Sequence, residues 1–396
     1  MRYLILFLLF GLLCCKPERS IPEIDKSGNY TITQLGKKIK TPNSFIALSD
    51  NGSIVAIADE FGDTKVFSYD STSVTWKQLG NDIINTEGTS VSISNDGTLL
   101  AVGFPNEGNS GVVRVYLYGS DTTWTQFGND IIGKVDGEQS GYSVSLSGDG
   151  RFLAIGAPEI TGVARVYSLG SNSEWYQIGD DLVSYSYERF GHSVSLSDNG
   201  AILASSAPFS PPFPPQGLFG RVKVYENILG VWSQQGEDII GEVAGDYSGY
   251  SIALCGDGTF LAIAAEYNDN SNNDAGHVRV YHYDTSTHWT KLGSDIDGLR
   301  ENDRLGSSVS FSNNGAILAV GARNYSPDGL GMEGQTKLFH FNSGDWTQLG
   351  ADINGKFYEY SGTSVSISGD GTILAVGAPG DNISSQNSVS VYQISK

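Results

Sequence analysis

Cysteine is scarce in this sequence, with three residues in 396. Two of them, Cys14 and Cys15, lie at the end of an N-terminal apolar run, which leaves Cys255 alone in the rest of the chain. A single thiol excludes an intrachain disulfide framework and a CxxC pair. Cys255 stands where the other copies of an internal repeat have serine, so we expect a small buried side chain there.

Basic residues are also few, 24 against 44 acidic ones, and the formal net charge is −20. No stretch gathers the lysines and arginines that a phosphate backbone attracts, which excludes nucleic acid and anionic membrane surfaces as partners. Proline is limited to 12 residues while glycine reaches 50, and no long helical pattern is visible. This composition argues against disorder and indicates many short strands joined by tight turns.

The N-terminal apolar run is too short to span a membrane. Tyr3–Cys15 has 13 residues, against the roughly 20 that a bilayer core requires. Because Arg2 precedes it, the run predicts a signal peptide over residues 1–15, followed by a linker over residues 16–29. Leu12–Cys15 loosely resembles a bacterial lipobox, so a lipidated Cys15 is the one membrane attachment left open. We expect an extracellular protein, either secreted or anchored at the cell surface.

An internal repeat of about fifty residues fills the rest of the chain, and tryptophan marks it. All six tryptophans occupy the same point of the unit, in WxQxG or a close variant followed by aspartate, at intervals of 48, 51, 57, 57 and 57 residues. They are Trp76, Trp124, Trp175, Trp232, Trp289 and Trp346. We expect each ring to cover a junction between neighbouring units and to have a structural role.

Each unit contains four short strand-like runs, which is the content of one propeller blade. The first run alternates serine with an aliphatic residue, as in Ser143–Ser147, and the second is almost continuously apolar, as in Ile373–Ala378. Asp-Gly or Asn-Gly joins these two runs in all seven copies and supplies the positive φ of a tight hairpin. The glycines are Gly52, Gly97, Gly150, Gly200, Gly258, Gly315 and Gly371.

The two ends of the repeat region predict how the ring closes. Tyr30–Gly36 matches the WxQxG strand but precedes the first hairpin, whereas the last copy stops at Ser388–Ile394 without such a strand. The first segment is therefore expected to complete the last blade, which removes the open sheet edge. The fold class predicted for residues 30–396 is all-β, a seven-bladed β-propeller of four-stranded blades closed by an N-terminal outer strand.

Two further motifs give the sequence a family resemblance. Phe190-Gly191 precedes a hairpin, and Gly156–Pro158 and Gly377–Pro379 follow second strands. With these motifs the chain resembles the FG-GAP repeat proteins, which form the propeller of integrin α subunits and of many exported microbial and algal proteins. The resemblance covers roughly residues 30–396 and implies the fold, whereas propellers support unrelated functions.

The resemblance does not extend to the calcium loops of integrin-like blades. Those loops often read DxDxDG, with alternating oxygens around a hard cation. The corresponding hairpins here read SGDG, SNDG, SDNG or SNNG, and they are too short and too poor in carboxylates. We expect no cofactor and no calcium at these turns.

Residues repeated in every blade are expected to be structural, and recognition is expected where the copies differ. The aspartate after each outer strand is therefore predicted to cap local backbone amides. These residues are Asp82, Asp130, Asp181, Asp238, Asp295 and Asp352. The copies differ most in the loop between the second and third strands, which is long in blades 4 to 6 and predicts an asymmetric rim.

Those three loops supply the candidate binding residues, with internal packing or solvation as the alternative in each case. The blade 4 loop, Pro208–Gly220, is rich in proline and phenylalanine, and the blade 6 loop is Arg323–Gly334. The candidates for partner binding are Phe209, Phe213, Phe219, Arg323, Tyr325 and Asp328. The oxygen-rich blade 5 loop gives weak metal candidates at alternate positions, namely Asn268, Asn270, Asn272 and Asp274.

Enzyme signatures are few, so no catalytic residue is assigned. The five histidines lack metal-ligand spacing, and no nucleophile elbow or phosphate loop occurs. The sequence favours a non-enzymatic binding or adhesion propeller that recognises a protein or glycan partner through blades 4 to 6. The alternative left open is a carbohydrate-active hydrolase or lyase with carboxylates from different blades in the axial funnel.

Overall fold

The computed structural model describes residues 30–41, 45–59, 63–83, 88–184, 188–210, 218–329, 331–380 and 387–396. The expected signal peptide, the linker, Cys15 and Phe213 lie outside these ranges. Every named element in the described ranges is a β-strand. In these same residues, no helix with the length and apolarity of a membrane span is found.

The strands follow one another in seven groups. The first two strands of the chain, which precede blade 1, are β1 (Thr31–Gln34) and β2 (Ile39–Lys40). Blades 1 to 3 contain β3 (Phe45–Leu48), β4 (Ile54–Ala58), β5 (Lys65–Asp70), β6 (Thr75–Gln78), β7 (Ser90–Ile93), β8 (Leu99–Phe104), β9 (Val112–Tyr118), β10 (Trp124–Gln126), β11 (Ile131–Ile132), β12 (Ser143–Leu146), β13 (Phe152–Ala157), β14 (Val163–Leu169), β15 (Trp175–Gln177) and β16 (Leu182–Val183). Blades 4 to 7 contain β17 (Val194–Leu196), β18 (Ile202–Ala207), β19 (Arg221–Ile228), β20 (Val231–Gln234), β21 (Ile239–Ile240), β22 (Ser251–Leu254), β23 (Phe260–Ala265), β24 (His277–Asp284), β25 (His288–Lys291), β26 (Ile296–Asp297), β27 (Leu305–Phe311), β28 (Ile317–Ala322), β29 (Gln335–Asn342), β30 (Asp345–Gln348), β31 (Ile353–Asn354), β32 (Ser364–Ile367), β33 (Ile373–Ala378) and β34 (Ser388–Ser395).

Each blade is an antiparallel meander of four strands, and the N-terminal strand closes the ring as predicted. β1 pairs with β34 in the sheet that also contains β33 and β32. The register runs from Thr31 opposite Ser395 to Gln34 opposite Tyr392. The chain is therefore an all-β seven-bladed propeller, and its last blade has no open outer edge.

The outer strand of most blades is divided in two, a detail that the four-strand repeat did not predict. β10 and β11 both pair with β9, at its end and at its start respectively. Gly128, between them, has a φ of +85°. A Cβ at Gly128 would also lie 3.0 Å from the ring of Trp175 in the next blade. The glycine of WxQxG thus provides both the turn and the space for the neighbouring tryptophan.

The tryptophans lie at the junctions between blades, as predicted. Each indole N–H donates a hydrogen bond of 2.9–3.4 Å to a backbone carbonyl of the preceding blade. The pairs are Trp76 with Leu35, Trp124 with Leu79, Trp175 with Phe127, Trp232 with Ile178, Trp289 with Gln235, and Trp346 with Leu292. The same residue thus buries apolar area and satisfies a polar group in the next sheet.

Serine on the innermost strands connects neighbouring blades by hydrogen bonds. A serine hydroxyl accepts a backbone N–H of the next innermost strand at six of the seven junctions, at 2.9–3.3 Å. Ser92, for example, accepts from Leu146. The serines that alternate with aliphatic residues in the first run of each repeat thus connect one blade to the next. Blade 1 has Ala47 at the equivalent position.

Glycines meet backbone against backbone at three blade junctions. A Cβ at Gly156, at the end of the second strand of blade 3, would lie 2.0 Å from the carbonyl oxygen of Gly191, the glycine of the Phe190-Gly191 pair in blade 4. Gly103 with Gly141 and Gly321 with Gly362 repeat this contact at 2.0 and 1.9 Å. Only glycine permits this close approach at these three junctions.

The hairpin turns between first and second strands form a ring of their own around the axis. All seven glycines of these turns have φ between +66° and +75°. Seven backbone hydrogen bonds of 2.8–3.0 Å connect each turn to the next and the last to the first. The bonds run from Asp50 to Asn95, Asn95 to Gly148, Gly148 to Asp198, Asp198 to Gly256, Gly256 to Asn313, Asn313 to Gly369, and Gly369 to Asp50.

Cys255 replaces the first serine of one turn and keeps its function. The thiol is 1% exposed, and its Sγ accepts the backbone N–H of Phe260 at 3.2 Å. In blade 3 the hydroxyl of Ser147 accepts the backbone N–H of Phe152 at 3.0 Å. Burial raises the pKa of Cys255 to about 12. The prediction of a small buried residue is confirmed, and the thiol is held in its unreactive protonated form.

The repeated aspartate after the outer strand is structural, but its partners differ from those predicted. In five blades the carboxylate accepts a hydrogen bond from the glutamine of WxQxG, at 2.5–2.9 Å. In blade 5, Lys291 takes the place of that glutamine and lies 2.8 Å from Asp295. A basic residue on the third strand also pairs with the aspartate, as Arg165 does with Asp181 at 3.0 Å. The prediction of backbone capping is corrected: the described partners are side chains, which connect the outer strand to the third.

Candidate functional site at the loop face

The antiparallel meander gives the disc two different faces. We call the face that carries the second-to-third strand loops and the links between blades the loop face, and the opposite one the turn face. At the loop face, a glycine and one variable residue precede the innermost strand in the sequences of blades 2 to 7. That residue is Tyr142 in blade 3, His192 in blade 4 and Tyr250 in blade 5. The equivalent residues of blades 2, 6 and 7 are small and hydroxylated, namely Thr89, Ser307 and Thr363.

These three rings contact one another across two blade junctions. The ring centroids of Tyr142 and His192 are 5.2 Å apart, and those of His192 and Tyr250 are 5.1 Å apart. The hydroxyl of Tyr142 lies 3.4 Å from Nε2 of His192. Because each residue enters an innermost strand, the three rings form a continuous aromatic wall beside the axis on one side only.

Three more rings extend this wall outward. Phe209 lies 6.1 Å from His192 and 5.1 Å from Tyr247, measured between ring centroids. Tyr267 lies 5.1 Å from Tyr247 and 6.3 Å from Tyr250. We call the set Tyr142, His192, Phe209, Tyr247, Tyr250 and Tyr267 the aromatic cluster. Tilted and edge-to-face pairs of this kind hold rings in fixed orientations.

Three arginines lie against the faces of the aromatic cluster. The guanidinium carbons of Arg189, Arg304 and Arg323 are 4.8, 4.2 and 5.9 Å from the ring centroids of Phe209, Tyr267 and Tyr250, respectively. Such distances are those of cation–π contacts. Each arginine also pairs with a carboxylate, at 3.0 Å for Arg189 with Glu159, 3.7 Å for Arg304 with Asp274 and 2.9 Å for Arg323 with Glu266, so their charges are balanced within the protein.

The backbone that presents these side chains is strained in a repeated way. Arg189, Tyr247 and Arg304 have φ of +56°, +53° and +55°. Each stands two residues before the glycine that enters an innermost strand, and Gln139 and Tyr360 have the same conformation in blades 3 and 7. A left-handed non-glycine residue costs about 1–2 kcal/mol. The links between blades therefore fix these residues in one conformation, which gives the site preorganised side chains.

The polar groups of the site are buried and differ in charge. The side chain of Glu266 is fully buried, and its Oε1 lies 2.9 Å from Arg323. Burial raises the pKa of Glu266, and the Arg323 charge opposes this effect. Burial, with a contribution from Arg189, lowers the pKa of His192 to about 4. At neutral pH the imidazole of His192 is therefore uncharged.

Two of the predicted binding residues belong to this site, and the others lie elsewhere. Phe209 is a member of the aromatic cluster, and Arg323 lies over it. Phe219 is partly buried, and its backbone carbonyl accepts from Ser248. Tyr325 packs against the core between blades 5 and 6, under Arg300. Asp328 is exposed, and Phe213 is outside the described residues.

Sequence reasoning missed Tyr142, His192 and Tyr250 because it looked at loop length. A signal was present, since aligned repeats place rings after the entering glycine in three consecutive blades and hydroxyl residues in three others. Because recognition is expected where the copies of the repeat differ, this difference between the two halves of the ring also predicts a binding site.

The weak metal candidates of blade 5 stabilise their own loop. Asn268 is 1% exposed, and its Nδ2 donates to Asp246 at 2.7 Å while its Oδ1 accepts the backbone N–H of Asn270. Nδ2 of Asn272 donates to the carbonyl of Leu299 at 3.0 Å. Asn268 points inward, whereas the side chains of Asn270 and Asn272 are exposed. The structure therefore does not bring these oxygens together around one point.

The axial opening on the turn face is polar and of a different kind. A cavity of about 390 Å³ is lined by Asp198, Asn199, Gly256, Asp257, Asn313, Asn314 and Gly369. Burial raises the pKa of Asp198, and Nδ2 of Asn313 donates to Asp50 at 2.6 Å. The turn-face residues bind one another across the axis and reinforce the ring of backbone bonds.

Comparison with known proteins supports the fold. A family model described as the FG-GAP repeat matches residues 351–394, which correspond to the end of blade 6 and nearly all of blade 7. Among curated proteins, no match was found. The β-propeller domain of Cps50 (Swd1) from Myceliophteria thermophila superposes with a TM-score of 0.61 at 12% identity, covering 92% of this chain and 100% of that one. Hydrazine synthase of Kuenenia stuttgartiensis gives a TM-score of 0.59 at 14% identity, covering 91% of this chain and 97% of that one. At these identities the likeness is one of fold.

Proposed function

Since the chain is a seven-bladed β-propeller whose last blade is an FG-GAP repeat, we propose that it is a non-enzymatic binding module whose aromatic cluster holds a partner at the loop face. The observation that carries the proposal is the group of rings and arginines on one side of the loop face. At the residue after the entering glycine, blades 3 to 5 have rings, whereas blades 2, 6 and 7 have small hydroxyl residues. Tyrosine and arginine dominate the energetics of protein interfaces. A protein partner is therefore the first candidate, and a glycan is the second class that such a surface binds.

The proposal places recognition closer to the axis than the loops alone suggested. Phe209 and Arg323 come from the long loops of blades 4 and 6, whereas Tyr142, His192 and Tyr250 come from the links between blades. Rings fixed by their neighbours lose little conformational entropy on binding. A rigid aromatic wall flanked by loops that differ between the blades is a common arrangement for recognition.

The repeat supplies a matched experiment for this site. A double variant Tyr142→Thr, Tyr250→Ser installs residues that blades 2, 7 and 6 already carry at the equivalent position, so the fold is expected to persist. Partners captured from the native extracellular medium by the immobilised wild-type chain, and glycans bound on an array, should be lost by this variant, with a decrease in affinity of at least about 30-fold for two anchor residues.

The control is Tyr176→Ser, which removes an exposed tyrosine of β15. It should bind like the wild type. If the double variant keeps the partner at unchanged affinity while its thermal unfolding matches the wild type, the aromatic cluster is not the binding site.

A carbohydrate-active hydrolase or lyase is the second candidate function, and Glu266 is the observation that favours it. A buried carboxyl with a raised pKa suits a general acid. Arg323, however, favours the ionised form, and glycoside hydrolysis needs a second carboxylate. Turnover in a polysaccharide screen that disappears in Glu266→Gln would replace the binding proposal with this one.

Export is a separate proposal that depends on the N-terminal sequence. Arg2 and the apolar run Tyr3–Cys15 support cleavage after residue 15 or lipidation at Cys15. Mass determination of the mature protein should give an N-terminus at or beyond Cys15, and a lipid adduct would establish the anchored form. Recovery of the intact chain from the cell interior would contradict export.

A further inference from the structure

The outer edge of blade 5 has metal-ligating residues at two paired positions. The first residue of the third strand lies opposite the second residue of the short outer strand that follows it. In blades 2 and 3 these pairs are Val112 with Ile132 and Val163 with Val183, and in blade 4 the pair is Arg221 with Ile240. In blade 5 the pair is His277 with Asp297. Both members of the blade 5 pair are thus metal-ligating residues, where blades 2 and 3 have aliphatic ones.

In blade 6 the two residues at this position are polar and hydrogen-bond to each other. Nε2 of Gln335 donates to Oδ1 of Asn354 at 2.7 Å, so the two amides satisfy each other. His277 behaves differently: it is 3% exposed, and its Nδ1 is buried without a hydrogen-bond partner. A buried ring nitrogen without a partner is unfavourable, and a bound cation would satisfy it.

A third donor lies at the same edge. One ring nitrogen of His277 and one carboxylate oxygen each of Asp295 and Asp297 lie within 4.8 Å of one another. We propose that His277, Asp295 and Asp297 bind a divalent transition-metal ion, with Zn²⁺ as the reference ion. An imidazole with two carboxylates is a typical donor set for zinc, and a three-residue site leaves one position for water.

A cation at this edge would relieve both the unpaired nitrogen of His277 and the repulsion between the carboxylates of Asp295 and Asp297.

Arg279 and Lys291 are the opposing charges, and they also orient the site. Arg279 donates to both oxygens of Asp295, at 2.7 and 2.8 Å, and Lys291 lies 2.8 Å from Oδ1. Ligating carboxylates are commonly fixed by such outer hydrogen bonds. Oδ2 of Asp295 accepts a hydrogen bond from Arg279 and has a further lone pair for the metal. The nearby cations are expected to lower the affinity without removing the site.

The geometry requires a small closure. Donor atoms at the usual zinc distances lie roughly 3.4 Å apart in a tetrahedral site, whereas the three donors here lie within 4.8 Å of one another. Asp297 is exposed, so its side chain is the one of the three with room to move toward the buried histidine.

The test is calorimetric titration of the chelator-treated full chain with Zn²⁺. The wild type should bind one ion saturably. His277→Val and Asp297→Val recreate the aliphatic pair of blade 3, so both variants should fold, and each should weaken binding by about 10–100-fold or more. Asp297→Asn, which keeps the side-chain shape, should weaken binding in the same direction.

The control is His340→Ser, a histidine on β29 replaced by the residue that blade 3 has at the equivalent Ser168. It should bind Zn²⁺ like the wild type. The proposal is overturned by the lack of saturable one-to-one binding, by unchanged binding in His277→Val, or by an equal loss in the control. Thermal unfolding of each metal-free variant shows whether a loss of binding reflects a loss of fold.

Discussion

At the scale of single residues, one position in each repeat decides the chemistry of the loop face. The residue after the glycine that enters an innermost strand is tyrosine or histidine in blades 3 to 5 and threonine or serine in blades 2, 6 and 7. The glycine before this residue has a φ between +88° and +95° in blades 3 to 7, so one glycine conformation precedes different side chains. Cys255 shows the same tolerance, since its sulfur accepts the hydrogen bond that serine accepts in the other turns.

His192 makes a prediction about pH. Its pKa is about 4 in the folded chain because of burial and Arg189, whereas an unfolded histidine titrates near 6.5. Between these two pH values His192 binds a proton in the unfolded state but not in the folded state. The free energy of unfolding therefore falls as the pH is lowered from about 6.5 to about 4. The loss approaches about 1.4 kcal/mol per pH unit for this single group.

The matched variant is His192→Tyr, which installs the residue of blades 3 and 5. Urea unfolding of wild type and variant at pH 7, 6, 5 and 4.5 should show a steeper decrease in the free energy of unfolding for the wild type. Groups that titrate in the same range in both proteins, such as Asp303 with its burial-raised pKa of about 6, cancel in the difference. Parallel curves for the two proteins would show that His192 is protonated in the folded state.

At the scale of the strand, neighbouring blades are joined by side-chain acceptors in place of a continuous sheet. The innermost strands of adjacent blades belong to different sheets, so their exposed N–H groups need another partner. Serine hydroxyls fill that role at six junctions. The alternation of serine with aliphatic residues therefore has two causes, apolar packing on one side and hydrogen bonding on the other.

The serine acceptor can be removed at one junction and added at another. Ser92→Ala removes the acceptor 2.9 Å from the Leu146 N–H and should lower the free energy of unfolding by about 1–3 kcal/mol. Ala47→Ser supplies an acceptor at the one junction without it and should stabilise by about 0.5–1.5 kcal/mol. Denaturant midpoints at constant m-value measure both changes. If neither substitution changes the free energy of unfolding, serine occupies these positions for its small size alone.

At the scale of the whole molecule, three features close the ring. β1 completes the last sheet, the tryptophan of blade 1 donates to the carbonyl of Leu35, and the turn-face bonds return from Gly369 to Asp50. Ile32 of β1 occupies the position that tryptophan has in the other outer strands, and it packs with Ile394 and Tyr392. The first and last segments of the repeat region therefore form a single blade.

Removal of residues 1–36 should open this closure. The truncation exposes the edge of β34 and loses the burial of Ile32 and Leu35, which together contribute about 3–6 kcal/mol. We expect a lower thermal midpoint and self-association through the free edge. Removal of residues 1–29, which leaves β1 intact, is the control and should stay monodisperse in size-exclusion chromatography. A truncated chain as stable as this control would contradict closure by β1.

The sequence by itself determined the number of blades, the turns and the closure, because these depend on patterns within one unit and on the two ends of the chain. Asp-Gly and Asn-Gly pairs, the apolar second strand and the tryptophan spacing are sequence patterns that indicate turns and strands within a single repeat. Phe209 and Arg323 were identified from loop composition, whereas the structural partner of each repeated aspartate was not.

The tertiary structure alone decided which side chains meet. Tyr142, His192 and Tyr250 are about fifty residues apart in sequence, and only the angle between successive blades places their rings 5.1–5.2 Å apart. The pairing of His277 with Asp297 depends on a strand register that follows a break in the outer strand. Contacts between distant units follow from the ring geometry, which no local pattern encodes.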